Sequence, residues 1–485
     1  MRRARGFCLA VLAFALLGIL VAVPAAGAHP RYHHHHGPGL SSIHPVIFVH
    51  GGEGSGAQFE SQKMRFTEDG YPDDFVQVFE YDSTFSTESM AQVETNLDSF
   101  INTVEQQTGA SQVDLVGHSL GTLVDQTYLD SSPDHAAKVA RYVNIDGQTA
   151  SSPPGGVPTL ALWASKGPTA TPGRTITGAE NVTIPDVTHV QCATSPLSFA
   201  AMFKFLTGHR PRTTKIVPQP GRITIAGRAV LFPQNIGVPT GTTLAIWRVS
   251  GRTGRRIGAH PVATPALASD GSWGPVWIES GKHYEFALAQ VGEVQHYYYE
   301  PFLRSDDLVR LLTVVPGTGL DTLWSKSPNH VNLIVIRYKE FWGDQGSEND
   351  ILTIDGTNVI NAATAPISHL VNAMYAFDQG NDGVSNVSAP IPTFFGIPFL
   401  SAVDLYIPAS SPANGTVSVS LKSRGAGPVR TVNFPNFPST TDSVTVQFHD
   451  FEQPAHFRET LARGTTQGTG AAAPVDGAAA HVDVR

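Results

Sequence analysis

From Val46 to about Gly208 the chain alternates continuous apolar runs with segments of helical spacing, and this alternation is the strongest constraint on its fold. A strand covered on both faces reads as an unbroken hydrophobic run, so the pattern marks a parallel sheet with crossover helices on its two sides. The predicted strands are VIFVHG (46–51), FVQVFEYD (75–82), VDLVG (113–117), RYVNID (141–146), TLALW (159–163) and NVTIP (181–185). Between the second and third, Met90, Val93, Leu97, Ile101 and Val104 recur at three-to-four spacing and predict an amphipathic helix that stops at Gly109. A last helix is expected over SPLSFAAMFKFLTG (195–208).

Beyond this α/β unit (44–208) the texture changes. HRPRTTKIVPQPGR (209–222), rich in Pro and basic residues, reads as a linker. Short alternating runs such as RITIAGRAVLF, TTLAIWRV, VNLIVIRYK and SVTVQFHD follow, bounded by Gly, Pro and Asn. They predict antiparallel β-sandwiches or barrels in two units, 223–315 and 316–460, dividing near Pro316. The segment 461–485 is low in complexity and is expected to be disordered. At the other end, Arg2, Arg3 and Arg5 precede an apolar run from Phe7 to Val23, and Ala26-Gly27-Ala28 follows. That order describes a secretory signal cleaved after Ala28, in preference to an uncleaved membrane anchor, leaving an exported protein with no membrane span. His33 to His36, within 29–43, read as part of a flexible spacer in preference to a metal-binding tract.

Several function classes drop out. Thirty-two Lys and Arg against 41 Asp and Glu give a net charge of −9, so the basic footprint of a nucleic-acid binder is missing. Cys8 and Cys192 are the only cysteines, which excludes a disulfide framework and a cysteine-built metal site. What remains is Gly117-His118-Ser119-Leu120-Gly121, which follows the run VDLVG and opens a helix with Leu120, Val124 and Tyr128 facing inward. A strand-to-helix turn this tight has no room for side chains at the two glycines and pushes the Ser119 hydroxyl out above the sheet. The competing reading is a Gly-rich connection with a capping serine.

A serine hydroxyl needs a base. His189, in the loop DVTHVQC after the last strand, is preferred over His135 in the SSPDH turn and His209 at the linker. The acid is less obvious, because no Asp or Glu occurs from Gly147 to Ala179. Asp146, Glu180 and Asp186 remain. Asp186 is too local to His189 and Glu180 sits at the wrong end of its strand, so Asp146, at a carboxyl sheet edge, is favoured over a plain Asp-Gly turn. Two N–H donors should face the ester oxyanion: Leu120, and Gly52 in the loop His50-Gly51-Gly52-Glu53-Gly54, with Glu53 as second choice. Neither metal nor organic cofactor is needed.

HPVIFVHGG (44–52), VDLVGHSLG (113–121) and THV (188–190) resemble the secreted class 2 triacylglycerol lipases. The linkage to a β-rich half is similar to the two-domain Archaeoglobus lipase. The resemblance implies an α/β-hydrolase fold, Ser119 as nucleophile, His189 as base, and hydrolysis of lipid-like esters at a lipid–water interface. The missing acid after TLALWASKG departs from the small single-domain members. Residues 222–312 resemble a transthyretin-type sandwich, which implies a role in holding the acyl chain or docking on insoluble substrate. Tyr297-Tyr298-Tyr299 and PTFFGIPFL (392–400) are candidates for aromatic contacts there. Asp378-x-Gly-x-Asp382-Gly383 loosely resembles a calcium loop, but position twelve is Ala389. The expected function is a secreted serine carboxylic-ester hydrolase, foremost a triacylglycerol lipase for medium or long acyl chains. An extracellular polyester (polyhydroxyalkanoate-type) depolymerase and a non-catalytic surface-binding protein are the alternatives. Loops 53–74 and 147–158 are the candidate lids.

Overall fold

Six apolar runs pair into one wholly parallel sheet: β1 (Val46–Val49), β2 (Val76–Phe79), β3 (Val113–His118), β4 (Val139–Ile145), β5 (Thr159–Ala164) and β6 (Glu180–Ile184), in the order β2-β1-β3-β4-β5-β6. The computed structural model describes residues 43–425, 427–449 and 451. The expected signal (1–28), the tract His33 to His36 and the segment 461–485 lie outside the described residues.

Successive residues of each strand point to opposite faces, so both faces must be covered. Val46 and Phe48 enter a core beneath α1 (Glu60–Glu68), with Phe199 and Phe203 opposite. Ile47 and Val49 enter a second core that receives Val93, Leu97, Ile101 and Val104 of α2 (Met90–Thr108) and Val124 and Tyr128 of α3 (Leu120–Ser131). The short α4 (Pro133–Ala137) leads into β4. Ser89 caps α2 reciprocally with Gln92, and the helix ends at Gly109 in a left-handed conformation (φ 73°). After β6 come α5 (His189–Thr194) and α6 (Pro196–Thr207). The chain leaves β1 to one side for β2 and returns on the other for β3, so the carboxyl ends of β1 and β3 open the crevice where such sheets bind ligands.

The segment 209–222 is tied down rather than free. Arg212 donates its amide to Asp69 Oδ1 at 2.6 Å, and the Thr214 carbonyl accepts from buried Arg65 at 3.0 Å. The first lid candidate is also fixed: within α1, Gln62 and Arg65 are buried, and Gln62 donates to the Ala193 carbonyl at 2.6 Å. In 147–158, Gln148 donates its amide to Thr122 Oγ1 at 2.8 Å, and no residue of this loop lines the cleft described below.

The β-rich half comprises β7 (Arg222–Leu231), β8 (Ile236–Gly237), β9 (Thr243–Val249), β10 (Ser272–Glu279), β11 (His283–Gln290), β12 (Glu293–Tyr299) and β13 (Asp306–Thr313), then β14 (Leu333–Arg337), β15 (Ile351–Ile354), β16 (Thr357–Asn358), β17 (Ala373–Phe377), α7 (Pro392–Phe395), β18 (Leu400–Asp404), β19 (Thr416–Lys422), β20 (Arg430–Pro435) and β21 (Asp442–Phe448). Its largest sheet has the order β18-β17-β14-β21-β12-β11-β9. One expectation changes here. The sheets are mixed, because β21 runs parallel to both neighbours, β12 and β14, while β17 pairs parallel with β18 and β13 with β7. The expected boundary near Pro316 falls between β13 and β14, and the largest sheet spans it, with the last strand returning to sit between strands from either side. Local alternation carries no information about such a return.

One face of this sheet packs against β7, β10 and β13 as a sandwich, and the other packs against β15, β19 and β20. Tyr297 and Tyr299 therefore fall in the first core and Tyr298 in the second, each at most 5% exposed. These tyrosines, candidates for substrate contact, lie in cores on both sides of the strand and do not face substrate. In the calcium-like loop, Asp378 accepts the amides of Asp382 and Gly383, at 3.3 and 3.0 Å. Among the described residues no cluster of His, Cys, Asp and Glu could hold a metal, and no helix is long and apolar enough to cross a membrane.

Candidate active site

β3 runs directly into Ser119, whose backbone is forced to φ 55°, ψ −122° before α3 begins. A non-glycine residue there costs on the order of 1–3 kcal/mol and needs surroundings that enforce it. The two flanking glycines do so by permitting contact. A Cβ on Gly121 would lie 2.3 Å from the Val49 carbonyl oxygen, and one on Gly117 would lie 2.2 Å from Asp125 Oδ2. The helix thus begins flush against the end of β1, and the Ser119 side chain projects beyond the carboxyl edge of the sheet.

His189 is the first residue of α5 and meets that side chain. Its Nε2 lies 2.8 Å from Ser119 Oγ, and its Nδ1 lies 2.7 Å from Asp146 Oδ2. With Nδ1–H donating to the carboxylate, Nε2 is free to accept from the hydroxyl. Asp146 leaves β4 in a left-handed conformation (φ 45°) and receives four donors. Ala164 N–H (3.0 Å) and Arg174 Nη1 (2.7 Å) reach Oδ1; the Thr169 hydroxyl (2.7 Å) and His189 reach Oδ2. Burial pushes this carboxyl up, but the hydrogen bond and charge of His189, with Thr169 and Ala164, outweigh it and hold the group well below the usual carboxylate range. Glu180 is exposed, and Asp186 is 85% exposed and turned toward Lys166. His135 stacks on Tyr128 at 4.3 Å, and His209 is exposed. Of the residues weighed from sequence, the structure brings together Ser119, His189 and Asp146.

The loop after β1 lies alongside. A Cβ on Gly51 would be 2.9 Å from Ser119 Cβ, and one on Gly52 would be 3.8 Å from Leu120 Cδ2. Leu120 opens α3, so its N–H has no intrahelical partner. Glu53, the second choice beside Gly52, has its amide engaged by Ser83 Oγ at 2.8 Å. The loop is buttressed by Arg310 of β13, which donates to the Gly54 carbonyl at 3.1 Å. Beneath the site, His118 donates Nε2–H to the His189 carbonyl (3.0 Å) and accepts from Gln58 at Nδ1 (2.6 Å). Burial, and then the neighbouring His189, push His118 down to about 3, so it is neutral and its tautomer is fixed.

Ser119 and His189 open onto a cleft. One wall is the loop 51–54; the other belongs to the β-rich half, through the apolar Phe232, Leu312, Ile336, Ala373, Phe399 and Leu400 together with Arg310, Arg337, Tyr338 and Asn372. The segment 392–400 thus reaches the site through its last two residues, whereas Phe394 is fully buried in a core. Arg174 and Thr169 were not foreseen. Their one sequence signal was that Lys166 and Arg174 are the only charged residues in the acid-free stretch after Asp146.

Residues 43–134 match the family model for lipase (class 2), residues 221–316 match the lipase C-terminal domain model, and a further C-terminal-domain model matches 319–452. No curated protein matches the chain. Similar solved structures include lipase B of Aspergillus fumigatus, at 17% identity and TM-score 0.28 over 37% of this chain. The match spans 55% of that lipase, so this chain covers just over half of its length. A CIB-like hydrolase of Thermoplasma acidophilum matches at 16% identity and TM-score 0.27, over 35% of this chain and 89% of its own. A thermophilic esterase of Thermogutta terrifontis matches at 15% and 0.26, over 34% and 89%. The lipase (class 2) match contains both the glycine loop after β1 and the serine turn after β3, and over those residues the chain is similar to that family.

Proposed function

We propose that this enzyme is an exported lipase that cleaves medium- and long-chain acyl esters, triacylglycerols among them, through an acyl-enzyme on Ser119. The observation that carries the reading is the continuous relay from Asp146 through His189 to Ser119, with spacings of 2.7 and 2.8 Å, at an apolar cleft. Ser119 Oγ attacks the ester carbonyl as its proton passes to His189 Nε2. Asp146 keeps the other ring nitrogen protonated and offsets the imidazolium charge. The amides of Gly52 and Leu120 take the oxyanion. The imidazolium then protonates the departing alcohol, and the same ring activates the water that frees the acid.

The wall formed by Phe232, Leu312, Ile336, Phe399 and Leu400 favours an acyl chain over a polar group. Each methylene removed from water contributes about 0.8 kcal/mol, so eight of them contribute roughly 6 kcal/mol to binding. Export rests on the charged, apolar and small-residue order of 1–28. The test is a p-nitrophenyl ester series from acetate to palmitate, alongside emulsified triolein and a solid polyester. kcat/KM should rise with chain length, triolein should be cleaved, and Ser119→Ala should lose at least about ten-thousandfold in kcat. A preference for acetate, or polyester cleavage without triolein cleavage, would overturn the lipase reading. The amino terminus of the protein recovered from the medium of a producing host should be His29.

A further inference from the structure

The segment bearing His189 is held from outside the hydrolase fold. α5 has six residues, and its N-cap residue, Thr188, makes no capping bond of its own. Instead the Thr188 hydroxyl donates to Glu340 Oε2 at 2.6 Å. The amides of Val190 and Gln191, which have no intrahelical partner at this end, donate to Glu340 Oε1 at 2.5 Å and Oε2 at 3.0 Å. Glu340 follows β14, some 150 residues away in the β-rich half, and is fully buried.

A buried carboxylate is costly unless its lone pairs are engaged and its charge is balanced. The first condition is met by hydrogen bonds, and a nearby cation contributes to the second. Three donors converge on Glu340, and Arg424 lies beside it. Arg424 donates to the Glu340 carbonyl at 2.5 Å, to Asp350 Oδ2 at 2.6 Å and to Gln191 Oε1 at 2.5 Å. Its guanidinium stacks 3.8 Å from the Trp342 ring, whose Nε1–H donates to Thr188 Oγ1 at 3.4 Å. On the hydrolase side, His118 holds the His189 carbonyl. The segment 188–191 is therefore pinned from both sides, with Glu340 accepting from the Thr188 hydroxyl and from the amides of Val190 and Gln191.

We propose that Glu340 is a positioning residue for the catalytic base: through Thr188, Val190 and Gln191 it fixes the backbone from which the His189 ring reaches both Asp146 and Ser119. The β-rich half thus completes the catalytic geometry as well as walling the cleft. This rests on the reading of Ser119 and His189 given above. A shift of about 1 Å at such a base lowers turnover on the order of a hundredfold, because the proton must pass along a preset line.

The experiment uses the full chain and the soluble substrate p-nitrophenyl butyrate. In Glu340→Gln one carboxylate oxygen becomes an NH₂ facing donors, which releases part of the segment while keeping its volume. kcat should fall on the order of a hundredfold with KM within about twofold of wild type. The far-downfield proton resonance of the His189–Asp146 hydrogen bond should broaden or vanish while the circular dichroism stays native. Thr188→Val removes one of the three contacts without touching the carboxylate and should lower kcat by roughly tenfold. If Glu340→Gln does not fold, Thr188→Val decides alone. Wild-type kcat in the folded variant, or a raised KM with unchanged kcat, overturns the proposal. Should Ser119→Ala and His189→Ala be inactive while Glu340→Gln turns over normally, only the role of Glu340 falls. If either of those two stays active, the relay itself is refuted and the proposal with it.

Discussion

Asp146→Asn isolates the acid from everything else in the site, and its effect follows from the four donors that surround the carboxylate. At Oδ1 the partners are the Ala164 amide and the Arg174 guanidinium, neither of which can accept a hydrogen bond. The new NH₂ group is therefore driven to the Oδ2 position, where the Thr169 hydroxyl can rotate to accept and where His189 Nδ1 can accept only by giving up its proton. The ring then carries its proton on Nε2, pointing at Ser119 Oγ, and cannot take the proton of the nucleophile. A wrong tautomer with intact geometry costs about ten-thousandfold in kcat, or roughly 5.5 kcal/mol of barrier. Arg174 keeps its bonds to the Thr169 and Gly147 carbonyls, both at 2.7 Å, so the loop stays in place and the stability loss is limited to about 2 kcal/mol. Pre-steady-state bursts with p-nitrophenyl butyrate, together with the rate of fluorophosphonate labelling, measure the acylation step directly. Asp186→Asn is the control and should behave as wild type. An Asp146→Asn enzyme within tenfold of wild type, or an equal loss in Asp186→Asn, would refute the tautomer argument.

Gly121→Ala should destabilise the fold by about 3 kcal/mol, because the added Cβ meets the Val49 and His50 carbonyl oxygens at 2.3 and 2.6 Å and both are fixed in backbone; urea unfolding checks this, and a midpoint equal to wild type would contradict it. Phe232→Ala should lower the palmitate-to-butyrate ratio of kcat/KM roughly tenfold, as the cleft loses an apolar wall beyond the ester; an unchanged ratio would place the chain elsewhere. His296 lies between Glu285 and Asp442, at 2.7 and 2.8 Å, with Arg256 also on Glu285 and Phe437 stacked on the ring. Burial lowers its affinity for the proton, but the bonds and charges of the two carboxylates outweigh that and raise its pKa above 6.5. A raised folded-state value means that its stabilisation is complete below 6.5 and is lost as pH rises through the folded value. The melting-temperature difference between wild type and His296→Gln should therefore shrink as pH rises above 6.5; a constant difference would refute the linkage.

The hydrolase half was legible because its signals are positional. Continuous apolar runs marked a sheet buried on both faces, and a parallel sheet places the ends of its strands on one edge. Ser119, Asp146 and His189 could then be chosen by where each strand ends. Even the missing acid after β5 was informative, since with Asp186 too local to His189 and Glu180 at the wrong end of its strand it left Asp146. The β-rich half gave its strand texture and little else. Tyr297 to Tyr299 alternate as a half-exposed strand would, yet the sheet is covered on both faces, and a period of two cannot distinguish solvent from a second core. Nothing in the local pattern of β21 tells that it will pair with β12 and β14 at once.

The groups that escaped sequence reading share a physical cause. Glu340 stands in RYKEFW, where a carboxylate between a Lys and two aromatics reads as an ordinary surface charge. Arg310, in the run DDLVRLLT, reads as the polar side of an alternating strand. Each acquires its role only where the β-rich half meets a hydrolase loop: Glu340 at the His189 segment, Arg310 at the carbonyls beside Gly52. Composition sets how costly it is to bury such a charge, but the partner that offsets the cost lies more than a hundred residues away. A fully buried charge facing backbone donors of another unit is therefore the feature that links the two halves into one site. It also explains why an α/β core with its own serine, histidine and aspartate is built against a β-rich partner: the core supplies the reacting atoms, and the partner supplies the acceptor that keeps the base pointed at them.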